Sequence, residues 1–185
     1  KAETGVRFPY GPPHSPPQRG AFCLTHPGTA IMAAIILEGN VRAGQLSADA
    51  LEARVPELVA RATEARSRAY APYSRFLVGA AVLGEDGKVT AGCNVENASY
   101  GLTVCAERTA VFGLVCQGTS SVVALALCSE PAVWPCGACL QVLAEFAQPD
   151  CLILICEDGR IVARATLGEL LPRAFVGGFL RDHQG

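Results

Sequence analysis

Apolar positions change their spacing several times along this chain, and each change marks a predicted element. Leu58, Val59, Ala62, Ala65 and Ala69 recur three and four residues apart, the one-sided stripe of an amphipathic helix. Pro56 suits a first helical turn, where its missing N–H costs nothing, and Pro72 is a stop, so the spacing predicts a helix over 56–69. A shorter helical piece is expected over 47–53. Segments 76–83 and 88–93 read as a strand pair turned at Glu85-Asp86-Gly87. A polar loop with Asn94, Glu96, Asn97 and Tyr100 follows, then a helix over 105–116 that ends near Gly118. Residues 122–128 are continuously apolar, as in a buried central strand. A second helix should run from Pro135-Cys136 to Phe146. Two more strands, 151–156 and 161–166, are joined by a tight turn at Asp158-Gly159, and a short helix over 167–171 stops at Pro172. The order α, β, β, α, β, α, β, β, α implies a mixed sheet with helices on its faces, and no internal repeat is visible.

Composition adds a boundary. Residues 1–31 hold six of the twelve prolines, and the one methionine of the chain is Met32. The expectation is that Met32 is the natural start, that 1–31 is a disordered or non-native extension without a functional role, and that 32–185 form one domain. A net charge of -2, from 15 basic and 17 acidic residues, gives no electrostatic footprint for nucleic acid. No apolar run is long enough to span a bilayer. A small substrate fits better than a polynucleotide or a membrane. Nine cysteines, odd in number and irregularly spaced, argue against a secreted disulfide framework and for a reducing cytoplasm. Cys116, Cys128, Cys151 and Cys156 sit in apolar runs and are expected in the core.

The remaining cysteines carry the candidate chemistry. Cys105-Ala106-Glu107-Arg108 and Pro135-Cys136-Gly137-Ala138-Cys139 both fall at predicted helix starts, where free backbone N–H groups and the helix dipole favour thiolates. Three thiolates, Cys105, Cys136 and Cys139, can hold one Zn2+ ion per chain and leave one tetrahedral position for water. Glu107, two residues from the first cysteine, would stay off the metal and carry protons, as in zinc deaminases. Arg108 could offset the negative charge of three thiolates through its fixed fork of donors. A structural zinc closed by a fourth cysteine, with Cys93, Cys116 or Cys128 as candidates, is the chemical alternative.

The chain also resembles the small zinc-dependent cytidine deaminases of the homotetrameric pyrimidine-salvage type. The similarity spans about 58–175. It rests on Tyr73-Ser74-Arg75-Phe76 with Val78-Gly79-Ala80-Ala81, Gly92-Cys93-Asn94-Val95-Glu96-Asn97, the two cysteine blocks, and Glu169-Leu170-Leu171-Pro172 followed by Phe175. The resemblance implies a three-layer α/β/α fold with a five-stranded mixed sheet. It also implies hydrolytic deamination of cytidine and 2′-deoxycytidine by a zinc-bound hydroxide and a Glu proton shuttle. Phe76 would flank the pyrimidine, Asn94 and Glu96 would bind the ribose hydroxyls, and Ala106 would present backbone groups to the base. Tyr100 and Phe175 would reach into a neighbouring subunit's pocket, so that active sites are shared. Two positions depart from the family pattern: Trp134 stands where a small polar residue is usual, and Leu140 where Arg is common. A related deaminase of another aminopyrimidine nucleoside, such as blasticidin S, shares the zinc motif; the Asn94-Val95-Glu96-Asn97 run favours a ribose.

Overall fold

The computed structural model describes residues 46–177, so the expectations for 1–31 and Met32 lie outside the described residues. Helix α1 (Ala48–Arg66) starts at Ser47, whose hydroxyl accepts the Ala50 N–H. Strands β1 (Val78–Gly84) and β2 (Val89–Cys93) follow. A 3-10 turn (Tyr100–Leu102) leads into helix α2 (Ala106–Cys116). Then come β3 (Val122–Ser129), α3 (Gly137–Phe146), β4 (Ala147–Glu157), β5 (Arg160–Thr166) and α4 (Leu167–Leu170).

The strands form one mixed sheet in the order β2-β1-β3-β4-β5. Only β3 and β4 run parallel; the other pairs are antiparallel. The continuous apolar run at 122–128 is the central strand, as expected. Its alternate side chains serve two cores. Leu125 and Leu127 join Ala80, Val82, Ile153 and Ile155 beneath α2 and α3. Ala124, Ala126 and Cys128 join Ala81, Leu83, Leu154 and Cys156 beneath α1. Two buried faces explain why β3 lacks polar alternation, and the result is the expected three-layer α/β/α arrangement. No helix among the described residues is long and apolar enough to cross a membrane.

Several boundaries differ from the sequence reading. The two expected helical pieces are one helix, with Pro56 in its interior. Val55, Leu58, Val59, Ala62 and Ala65 bury a continuous stripe, while Pro56 lies on the exposed side. Burial of the stripe outweighs the one hydrogen bond the ring removes. The helix closes at Arg66, ahead of 69, because the Ser67 hydroxyl and N–H both bond back to Glu64 O. Strand β1 starts at Val78 because the Phe76 N–H is taken by Ser74 Oγ and its carbonyl by Asn94 Nδ2. Strand β4 starts earlier than 151, because Ala147 already pairs with Val122 ahead of a register shift. Helix α4 ends one residue early and is held by a capping box between Thr166 and Glu169. Cys128, Cys151 and Cys156 are buried, but Cys116 is exposed. Its position in the last turn of α2 falls off the buried stripe Ala106, Glu107, Ala110, Val111 and Leu114.

Candidate metal centre and active site

Helices α2 and α3 bring the cysteines together. Cys105 is the N-cap residue of α2 and Cys136 that of α3, and neither side chain caps its own helix. Their sulfurs are therefore free to turn towards a common point. Cys139 lies in the first turn of α3 and is buried. The Sγ atoms of Cys105, Cys136 and Cys139 all lie within 4.8 Å of one another, and Cys136 and Cys139 are 3.5 Å apart.

Electrostatics at this cluster favour one early deprotonation. A hydrogen bond from Cys139, with Arg108 next, lowers the Cys105 thiol to about 5. The same bond raises Cys139, which keeps its proton and donates it as a hydrogen bond to the Cys105 sulfur. One Arg108 Nη donates to the Thr103 carbonyl at 3.2 Å and to Cys105 Sγ at 3.5 Å. Arg108 Nε is buried and has no hydrogen-bond partner among the described residues. A buried guanidinium N–H without an acceptor, on a side chain that touches one of three clustered sulfurs, fits a site built for an ion and its ligands. The donor set suits Zn2+, whose preferred ligands include thiolates in tetrahedral geometry. Among the described residues no fourth Cys, His, Asp or Glu joins the cluster, so a closed structural zinc finds no support there.

Glu107 is buried, with 5% of its surface exposed. Burial pushes its carboxyl up, and the Cys105 charge adds to this, while a bond from Cys139 opposes it. A carboxyl with a raised pKa beside a metal site can both take and return a proton.

Of the remaining expected residues, Asn94 and Glu96 form a hydrogen-bonded knot with the 73–78 segment that carries Phe76. Asn94 is buried; its Oδ1 accepts the Val78 N–H at 2.9 Å and its Nδ2 donates to the Phe76 carbonyl at 2.8 Å. Each amide atom has capacity for one further bond. The Glu96 carboxylate accepts the Tyr73 N–H at 2.8 Å and the Ser74 N–H at 3.2 Å. Hydrogen bonding from Ser74 is the largest cause holding its pKa below the usual range. Phe76 is half-buried against the α2/α3 core, and Ala106 is fully buried. Val95 and Val104 exchange backbone hydrogen bonds at 2.9 and 3.0 Å, which ties this knot to the residue before Cys105.

Tyr100 and Phe175 are on the surface, 74% and 59% exposed. Tyr100 meets Tyr73 edge-on, with ring centroids 5.6 Å apart. Gln141 holds Phe175 by its backbone: Nε2 donates to the carbonyl at 2.6 Å and Oε1 accepts the N–H at 3.3 Å. Sequence reasoning gave no role to Gln141, Thr103 or Tyr73, although Tyr73 lies in a block that carries the resemblance. Gln141 left a signal as a polar residue within the apolar run 138–144 of α3. Of the two departures, Leu140 is buried in the core under α3, and Trp134 is 49% exposed beside the Pro135-Cys136 step. An apolar groove of about 870 Å³ lies away from this centre, along α1 and the β4–β5 turn. Donor chemistry, not cavity size, identifies the site.

Comparison with known proteins agrees with this geometry. The family described as the cytidine and deoxycytidylate deaminase zinc-binding region matches residues 54–155. The cytidine deaminase of Halalkalibacterium halodurans is 47% identical over 127 residues, 68% of this chain and 96% of that protein. The Mycobacterium tuberculosis H37Rv cytidine deaminase is 49% identical over 116 residues, 62% of this chain and 84% of that protein. A blasticidin-S deaminase from Bacillus cereus is 31% identical over 126 residues, covering 63% of this chain and 88% of that protein. The crystal structure of cytidine deaminase from Burkholderia pseudomallei superposes with a TM-score of 0.60 at 45% identity, over 64% of this chain and 97% of that one.

Proposed function

Because the chain belongs to the zinc-dependent cytidine deaminase family, a family of hydrolases, we propose that it converts cytidine and 2′-deoxycytidine to uridine and 2′-deoxyuridine with release of ammonia. The observation that carries this reading is the convergence of three cysteine sulfurs within 4.8 Å, on two helix starts, beside a buried Glu107. Bound zinc, held by Cys105, Cys136 and Cys139, supplies the Lewis acid that makes water a nucleophile near neutral pH.

The reaction adds water across the C4–N3 bond of the pyrimidine and expels the C4 amine. Glu107 takes the proton from the attacking water and passes it to N3. It then moves the second proton to the departing amine, so one carboxyl serves as base and then as acid. Its raised pKa suits a group that must do both. Arg108 offsets the negative charge of the thiolates through its contact with Cys105. Phe76 flanks the base and Ala106 offers it backbone groups. Asn94 and Glu96 bind the sugar hydroxyls with the capacity left after bracing the 73–78 segment. That pair favours a ribose over the blasticidin side chain, as does the higher identity to the Halalkalibacterium halodurans and Mycobacterium tuberculosis cytidine deaminases than to the blasticidin-S enzyme. The product would feed pyrimidine salvage in the cytoplasm. The working form would be a homotetramer in which Tyr100 and Phe175 complete a neighbour's pocket.

Ultraviolet absorbance tests the activity directly: purified protein should convert cytidine to uridine and carry one zinc per chain. Glu107→Gln should keep fold and zinc and lose turnover by at least ~10²-fold, the lower range for removing a general acid–base. Loss of the zinc would make Glu107 a ligand and overturn its assigned role.

A further inference from the structure

We propose that Gly92 is a positioning residue for the deaminase reaction. It would set the distance between the sugar-binding end of β2 and the start of α2, where Cys105 and Glu107 lie. The inference rests on the function proposed above.

The argument begins with a backbone contact. A Cβ built on Gly92 would stand 2.5 Å from the Ala110 nitrogen, 2.8 Å from Thr109 Cβ and 2.9 Å from the Ala106 carbonyl oxygen. Real Cβ atoms do not approach other atoms so closely, and two of these three atoms are helix backbone. No rotamer change can relieve them; the helix start itself must move. Further along the same seam the contact differs. A Cβ on Gly113 would meet only Thr90 Cγ2, at 2.9 Å, a side-chain atom whose displacement disturbs the Gln117 bond to Thr90 Oγ1 and not the backbone at the helix start.

The seam sits between the two halves of the candidate site. Gly92 is two residues before Asn94 and four before Glu96. Ala106, Thr109 and Ala110 form the first turns of α2, directly after Cys105. The Val95–Val104 backbone pair ties the chain to the segment that follows β2, just before Cys105. Gly92 ties it again just after. Cys105 is thus held from both sides, and Thr109, whose Cβ meets the Gly92 position, also bonds through Oγ1 to the Cys105 carbonyl at 3.2 Å within the first turn of α2. A methyl at 92 would lift the first turn of α2 from β2. Cys105 and Glu107 would then shift relative to Asn94 and Glu96, and Cys105 relative to Cys136 and Cys139 on α3. A misplacement of about 1 Å can cost roughly 10²-fold in rate.

The test compares Gly92→Ala with Gly113→Ala. Each variant is purified with zinc, and again with Co2+, whose visible absorption reports the geometry of the sulfur site. In Gly92→Ala, kcat/KM per bound metal for cytidine should fall by ~10²-fold and the cobalt absorption should shift. In Gly113→Ala both should stay close to the parent values. Loss of fold stability alone would lower the active fraction but not kcat/KM per metal-loaded molecule, nor move the cobalt bands. If Gly92→Ala does not fold, Thr109→Ile thickens the helix side of the same contact and should move both readouts in the same direction. Parent-like kcat/KM and cobalt absorption in folded Gly92→Ala, or in its substitute Thr109→Ile, would overturn the proposal. So would equal losses in Gly113→Ala. A parent protein that bound metal but did not deaminate cytidine would instead refute the underlying function. The cobalt absorption alone would then still report whether Gly92 sets the geometry of the cysteines.

Discussion

Arg108 touches Cys105 Sγ and the Thr103 carbonyl with the same nitrogen and keeps a second N–H buried without an acceptor among the described residues. A neutral side chain there would leave the sulfur cluster without its nearest positive charge. Arg108→Gln should therefore weaken zinc binding by roughly 10–100-fold, as for other residues that support metal ligands from behind. Competition with a chelator at fixed pH measures this, and unchanged affinity would show that the guanidinium does not support the cluster. Sequence spacing was enough to pick out Cys105, Cys136, Cys139, Glu107 and Arg108, because ligand chemistry demands those residue types near one another. It could not show what Asn94 and Glu96 do in the absence of substrate. Their partners are backbone groups of residues 73, 74, 76 and 78. Backbone groups carry no side-chain identity for a sequence pattern to register, so the bracing role of both residues appears only in three dimensions.

Among the elements, the strand run and both site helices were legible because each follows a buried stripe of fixed period. The first helix was misjudged at Pro56, where a local rule about proline competes with a longer apolar period and loses. The β1–β2 turn shows the opposite case, in which a local signal proved sound. Gly87 takes a positive φ of 80°, and Asp86 fixes the turn by bonding to Lys88 and Thr119. The Lys88 side chain first, then Thr119, lowers the Asp86 pKa from 3.8 to about 2. A carboxyl with a depressed folded pKa binds fewer protons when folded, so its contribution to stability is present above the unfolded pKa. That contribution is lost as pH falls from about 4 towards 2. Asp86→Asn should thus melt at a lower temperature than the parent near neutral pH, and the gap should close over that acid window. A gap independent of pH from 6 to 2 would show that the charge of Asp86 is not what holds the turn.

At the scale of the molecule, large apolar side chains stand exposed on the segments that adjoin the cysteine cluster. Tyr100 and Leu102 precede Cys105, Trp134 precedes Cys136, and Phe175 is held on Gln141. Gln141 fixes the backbone of Phe175 while leaving 59% of the residue exposed, an arrangement that suits presentation to another subunit. If sites are shared, the proton carrier and the aromatic cover come from different chains. Glu107→Gln subunits keep Phe175, and Phe175→Ala subunits keep Glu107. Each variant alone should be severely impaired. When the two are unfolded together and refolded as mixed oligomers, some sites would combine an intact Glu107 with a neighbour's intact Phe175. Cytidine turnover should then exceed the sum of the two parents. Recovery that grows with the fraction of mixed oligomers, measured by native mass spectrometry, would support exchange across an interface. Proven mixed oligomers without recovery would place Phe175 over its own chain's pocket and remove the argument that catalysis depends on assembly.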